Sequence, residues 1–198
     1  MMEAWRVLGV FAASVLFCVA QTAAAPPPLA LVNGDPAPDM RGQTADGGYF
    51  VIQYKPGTTT LVNFWATWCA PCRDEMAKLD ELFRRRAGDG LQVVGVHAGF
   101  VEKSDLGEYL KAVPVGYPIV VPESRYLDAW GGVALLPTSF LVDGQGKVLR
   151  RYIGAAPEQI AGLVTDAEAA LEGRPLGPVI IPDEPVVATD KDASPGAR

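Results

Sequence analysis

Histidine and cysteine are scarce in this chain: one histidine, His97, and three cysteines among 198 residues. Each scarcity excludes something. A structural zinc site takes four ligands, and beyond the pair Cys69 and Cys72 the chain offers only His97, so no resident metal is expected. An exported fold held together by disulfides uses several widely spaced pairs. Cys69 and Cys72 lie three residues apart and close almost no loop, so a bond between them adds little by constraining the unfolded chain. Basic residues are also in deficit, 17 Lys and Arg against 23 Asp and Glu, net −6. That balance argues against a nucleic-acid partner. The densest basic run, Arg84-Arg85-Arg86, falls where a helix is predicted to end, and cations there complement the helix dipole. The apolar run near the N-terminus, Val7 to Ala20, is short for a membrane span.

That run has another reading. Arg6 precedes it, and Thr22-Ala23-Ala24-Ala25 follows with small residues suited to cleavage. Residues 1–25 therefore read as an export signal, with a retained N-terminal anchor as the alternative. Cys18 lies within the run, but Phe17 before it is not the small residue that lipidation requires. Removing this segment takes away Glu3 and Arg6, whose charges cancel, and leaves Cys69 and Cys72 as the remaining cysteines. Residues 26–38, from Pro26-Pro27-Pro28 to Pro38, form a Pro-rich spacer. A domain is expected over 39–171, followed at 172–198 by a Pro/Gly/Asp-rich flexible tail in which Val179-Ile180-Ile181 is the stretch able to dock.

Hydrophobic periodicity orders the domain. Strands are predicted at Tyr49 to Tyr54, Thr60 to Ala66, Leu91 to Val96 and Tyr117 to Val121. Thr138 to Val142 and Lys147 to Ile153 flank Asp143-Gly144-Gln145-Gly146, a hairpin signal. Helices are predicted from Pro71 to about Arg86, over Asp105 to Val113, briefly over Arg125 to Trp130, and from Pro157 to Leu171. This order gives an α/β domain with a central mixed sheet and helices on both faces.

The chemistry concentrates in Trp68-Cys69-Ala70-Pro71-Cys72. Cys69 falls at or beside a helix N-cap, where partial positive charge and free N–H groups favour the thiolate, the reactive form. Cys72 shares a helix face with it and can resolve a mixed disulfide. Pro71 fits the first turn, where its missing N–H costs nothing. Two thiolates could instead hold Cu(I), a soft ion.

Phe64-Trp65-Ala66-Thr67-Trp68-Cys69-Ala70-Pro71-Cys72-Arg73-Asp74-Glu75, followed by Leu136-Pro137-Thr138-Ser139-Phe140-Leu141-Val142-Asp143, resembles the thioredoxin superfamily. Within it the chain, from about Gly34 to Leu171, is similar to the TlpA-like group of exported bacterial thiol reductases, which includes those of cytochrome c maturation. The resemblance implies a thioredoxin-like fold, a cis peptide bond before Pro137 opposite the CxxC, and a Leu136 backbone free to pair with an extended substrate segment. Trp68 would shield one side of Cys69 and contact partners. Asn63 stands where cytosolic thioredoxins place a buried proton-accepting Asp, a role Asn cannot take. Glu75, three residues beyond Cys72, is the substitute; its alternative is an exposed first-turn acid. Met76 stands where the group often has Pro. His97 is expected to be a packed residue.

The leading expectation is a periplasmic oxidoreductase that reduces protein disulfides through Cys69 and Cys72 and needs no further cofactor. Its partners would be disulfide-bearing exported proteins, such as apocytochrome c or a copper-site protein, and a membrane thiol electron donor. The alternatives are a Cu(I) chaperone, or a reductase of a copper-site protein's cysteines, and a peroxidase. Peroxiredoxins resemble one another in a Thr three residues before the reactive Cys, where this chain has Ala66.

Overall fold

A computed structural model describes residues 31–99, 103–131 and 133–179. In chain order the elements are β1 (Arg41–Thr44), β2 (Tyr49–Val51), β3 (Thr59–Trp65), α1 (Ala70–Arg86), β4 (Leu91–His97), α2 (Lys103–Ala112), β5 (Ile119–Pro122), α3 (Ser124–Ala129), β6 (Thr138–Val142), β7 (Val148–Ile153) and α4 (Pro157–Leu171). A short 3-10 turn, Ala87–Asp89, follows α1. The strands form one sheet in the order β2-β1-β5-β4-β3-β6-β7. The apolar runs Thr59–Trp65 and Leu91–His97 become its centre, parallel from Thr59↔Leu91 to Trp65↔His97. Both are covered on both faces, which is why they read as near-continuous apolar sequence. The β6–β7 hairpin adds two antiparallel strands beside β3.

Side chains alternate across the sheet. Leu61, Val93, Ile119 and Leu141 face one layer, built from Met76, Leu79 and Leu82 of α1, Leu106 of α2, and Leu163 and Ala167 of α4. Val62, Phe64, Val94, Val120 and Phe140 face the other, closed by Leu31, Met40 and Trp130. Trp130 caps α3 and meets Phe140 and Phe64 at 5.0 and 5.5 Å between ring centroids, within the range of favourable aromatic pairs.

The structure departs from the expected element list at the sheet's β2 edge. Strand β1 is absent from that list, because Arg-Gly-Gln-Thr carries no apolar alternation. It forms because Gly42 lets the chain lie against β5: a Cβ there would stand 2.4 Å from the Val121 carbonyl oxygen. Strand β2 ends at Val51 rather than Tyr54. Ile52 donates its N–H to Met40 O at 2.9 Å, and the Tyr54 hydroxyl donates to Pro38 O at 3.1 Å, so both turn inward beyond the ladder.

Beyond α4 the chain folds back along the domain. Leu176 packs against the helical layer, and the Gly177 N–H donates to Asp166 Oδ1 at 2.7 Å. Residues 1–30, with the expected export signal and the three prolines of the spacer, lie outside the described residues, as do Ile180, Ile181 and the remainder of the expected tail. Among the described residues no helix is long and apolar enough to cross a membrane.

Candidate functional site

The buried strand β3 delivers the chain to the N-terminus of α1, and the transition is the CxxC. Cys69 is the N-cap, with extended backbone (φ −81°, ψ 94°), and its N–H donates to Ala66 O at 3.0 Å. No acidic side chain occupies the first turn, and Arg84, Arg85 and Arg86 occupy the last, so the dipole's positive end is left for a thiolate. Cys69 and Cys72 are joined in a disulfide with their Cα atoms 5.4 Å apart. Cys72 is fully buried, whereas Cys69 keeps slight exposure. A partner's sulfur can therefore reach Cys69, and Cys72 is left to resolve.

One turn further along α1, Glu75 is 1% exposed. It is therefore not an exposed first-turn acid but a carboxyl under the CxxC turn. Asn63 Nδ2 donates to Glu75 Oε2 at 2.9 Å, and the Ser139 hydroxyl donates to Oε1 at 2.9 Å. Asn63 Nδ2 also donates to Ser139 Oγ at 2.9 Å. Asn63 and Ser139 are register partners on β3 and β6. Burial pushes the Glu75 carboxyl up to about 7, against the opposing pull of its two hydrogen bonds. Sequence reasoning misses Ser139 and marks Asn63 only as a departure. The available signal is a hydrogen-bonding side chain, Asn63 on β3 and Ser139 on β6, within two fully buried strands.

Large apolar side chains are exposed beside Cys69 and beside the cis-proline turn. Trp68 is 72% exposed, and Leu135 also faces solvent. The Leu136–Pro137 peptide bond is cis, and Leu136 is half-buried, packed against both layers. Pro137 O accepts the Gly154 N–H at 2.9 Å, which ties the turn to the segment after β7. His97 ends β4 buried, its ring edge-on to Trp65 at 5.2 Å, and burial pushes its pKa down. The chain then passes close beneath the CxxC loop. A Cβ at Gly99 would lie 3.1 Å from His97 Cε1 and 3.3 Å from both Ala66 Cβ and Trp68 Nε1. Among the described residues no three His, Cys, Asp or Glu side chains form a metal-holding cluster.

A buried carboxyl that titrates near 7 destabilises the fold at high pH. The unfolded chain loses this proton near 4.5 and the folded one near 7, so between those values the folded state binds more protons. Stability from this group is therefore greatest below about 4.5 and falls as pH rises to about 7, by about 3 kcal/mol in all. Glu75→Gln, with its amide nitrogen toward Ser139 Oγ, is expected to be more stable than the parent at pH 8 and to show little gain at pH 4.5. Urea unfolding at the two pH values measures this; an equal effect at both would mean that Glu75 titrates normally.

Comparison with known proteins agrees with this geometry. The model of the AhpC/TSA family matches residues 33–151. Thiol-disulfide oxidoreductase ResA of Bacillus subtilis (strain 168) is 30% identical over 129 residues, 65% of this chain and 71% of that one. ResA of Bacillus anthracis is 29% identical over 132 residues, 65% of this chain and 75% of its own length. The crystal structure of a Chlorobium tepidum protein described as thiol:disulfide interchange protein DsbE superposes with a TM-score of 0.65 at 31% identity, covering 72% of this chain and 99% of that one. The chain thus belongs to the AhpC/TSA family of thioredoxin-like proteins, and it is a thiol-disulfide oxidoreductase of the ResA and DsbE type carrying a CxxC disulfide.

Proposed function

We propose that the protein is a periplasmic reductant of protein disulfides, exported by its N-terminal segment. The observation that carries this reading is the pairing of a nearly buried dithiol with a buried, hydrogen-bonded carboxyl one helical turn behind it, which burial pushes up to about 7. In the reduced protein the Cys69 thiolate attacks a client disulfide. A Cys69–client bond forms, and the client's first sulfur leaves with the electron pair and takes a proton from water. Cys72 then gives its proton to Glu75, and its thiolate attacks Cys69 Sγ. The Cys69–Cys72 bond forms, and the client's second sulfur leaves as a thiolate. Two electrons have moved to the client. A membrane thiol donor returns them by the reverse exchange.

Trp68, Leu136 and Pro137 supply the docking surface, with the Leu136 backbone pairing an extended client segment. Oxidised clients of exported type suit this site, apocytochrome c or a copper-site protein among them. A peroxidase reading lacks support at Ala66, whose buried methyl puts no hydroxyl three residues before Cys69.

The direction of electron flow is tested by equilibrating the protein with glutathione or dithiothreitol. Thioredoxin lies at about −270 mV, and the strong oxidants of the fold near about −120 mV. Ala70-Pro71 lacks the histidine between the cysteines typical of those oxidants. The expected midpoint is below about −220 mV. A midpoint near that of the strong oxidants would reverse the proposed direction and make newly exported thiols the substrates.

A further inference from the structure

We propose that Ser139 is a positioning residue for the thiol chemistry: with Asn63 it holds Glu75 in the orientation and charge state that accepts the proton of Cys72. This rests on the proton-accepting role given to Glu75 above. Ser139 lies two residues beyond cis-Pro137, fully buried on β6 between β3 and β7. Its register neighbours are Asn63 on one side and Tyr152 on the other. A hydroxyl has one proton to donate and lone pairs to accept. Here the proton goes to Glu75 Oε1, and a lone pair takes the second N–H of Asn63. The first N–H of Asn63 goes to Oε2. The three side chains close a ring in which both carboxylate oxygens accept, an arrangement suited to the ionised acid.

Among the described residues no cation hydrogen-bonds to this ring. Tyr117, ahead of β5, faces Glu75; Tyr109 on α2 lies beside Tyr117 and faces Arg73, and Tyr152 is the register neighbour of Ser139 in the sheet. Tyr117 and Tyr109 are held protonated chiefly by burial, and Tyr152 by burial and by Asp166, which is itself engaged by Arg150. His97 lies against Trp65 at the end of β4, pushed below its usual range by burial. The two neutral donors are therefore what offsets the desolvation of a buried carboxylate. When Cys72 surrenders its proton, Glu75 takes it and the S–S bond to Cys69 forms. The ring keeps the carboxylate available for that transfer at neutral pH.

Ser139→Ala removes one donor and frees one Asn63 N–H, while leaving the strand and packing volume nearly intact. It is expected to raise the Glu75 titration midpoint by roughly one to two pH units. It should also slow client release from the mixed disulfide at pH 7, with the rate recovering at higher pH. Ser139→Thr keeps the hydroxyl and should restore the midpoint. The measurement is the carboxyl carbon resonance of Glu75 followed against pH in the full-length oxidised protein, with Glu75→Gln to assign it, alongside pH profiles of client release. An unmoved midpoint in Ser139→Ala, in a protein whose amide spectrum shows the native fold, overturns the proposal and leaves the role of Glu75 standing. A release profile that Glu75→Gln does not change overturns that role, and the proposal with it.

Discussion

Cys72→Ser is expected to turn the protein from a catalyst into a covalent trap. The variant still presents Cys69 at the helix terminus, so it still attacks a client disulfide. The introduced hydroxyl cannot displace the client from Cys69 Sγ, so the mixed disulfide persists and turnover falls by roughly three orders of magnitude or more. Cys69→Ser is expected to lose turnover to the same extent without accumulating adduct, because Cys72 is fully buried and no client sulfur reaches it. The assay is mass spectrometry of each reduced variant after exposure to an oxidised periplasmic extract, with release by dithiothreitol as the control. Equal adduct formation by both variants would remove the distinction between attacking and resolving cysteines. Adduct on Cys69→Ser alone would reverse the assignment.

That asymmetry is legible in the sequence because helix-start chemistry is local. An apolar strand, a Cys at the N-cap and a Pro in the first turn specify one another over a dozen residues. The same holds for α4, which spans Pro157–Leu171 as its Pro start and apolar spacing predict, and for the β6–β7 hairpin around Asp143-Gly144-Gln145-Gly146. Features decided by partners distant in sequence are not legible. Strand β1 exists because β5 and β2 flank it, and its own four residues carry no β signal. The burial of Glu75 depends on Asn63 and Ser139, 12 and 64 residues away, lining up across two strands. On a helix alone, an acid at this position is equally compatible with solvent.

The clearest case of such long-range dependence is Asp166, and substituting it is expected to give the largest loss of stability. Nothing in Leu163-Val164-Thr165-Asp166-Ala167 marks this acid as buried, yet it is almost fully so. Its Oδ2 accepts from Arg150 of β7 and from the Tyr152 hydroxyl, the latter at 2.5 Å, and its Oδ1 accepts the Gly177 N–H at 2.7 Å. Arg150 also donates to Gly177 O at 2.7 Å. One carboxylate thus joins the last helix, the edge strand and the segment that follows the helix. Asp166→Asn keeps the volume but removes the charge, leaving the Arg150 guanidinium largely buried and uncompensated. Breaking a buried pair on one side costs about 3 to 5 kcal/mol, which for a chain of this size lowers the melting temperature by roughly 10 °C. The segment 172–179 should become the first site of limited proteolysis. Because the hydrogen bonds of Asp166 run to Arg150, Tyr152 and Gly177 rather than to Glu75 or the cysteines, the Cys69–Cys72 reduction potential should stay as in the parent. Calorimetry and a redox titration of the same variant separate the two effects. A small change in melting temperature would mean that solvent already screens this pair. A shifted potential would mean that the α4 layer tunes the dithiol as well as supporting it.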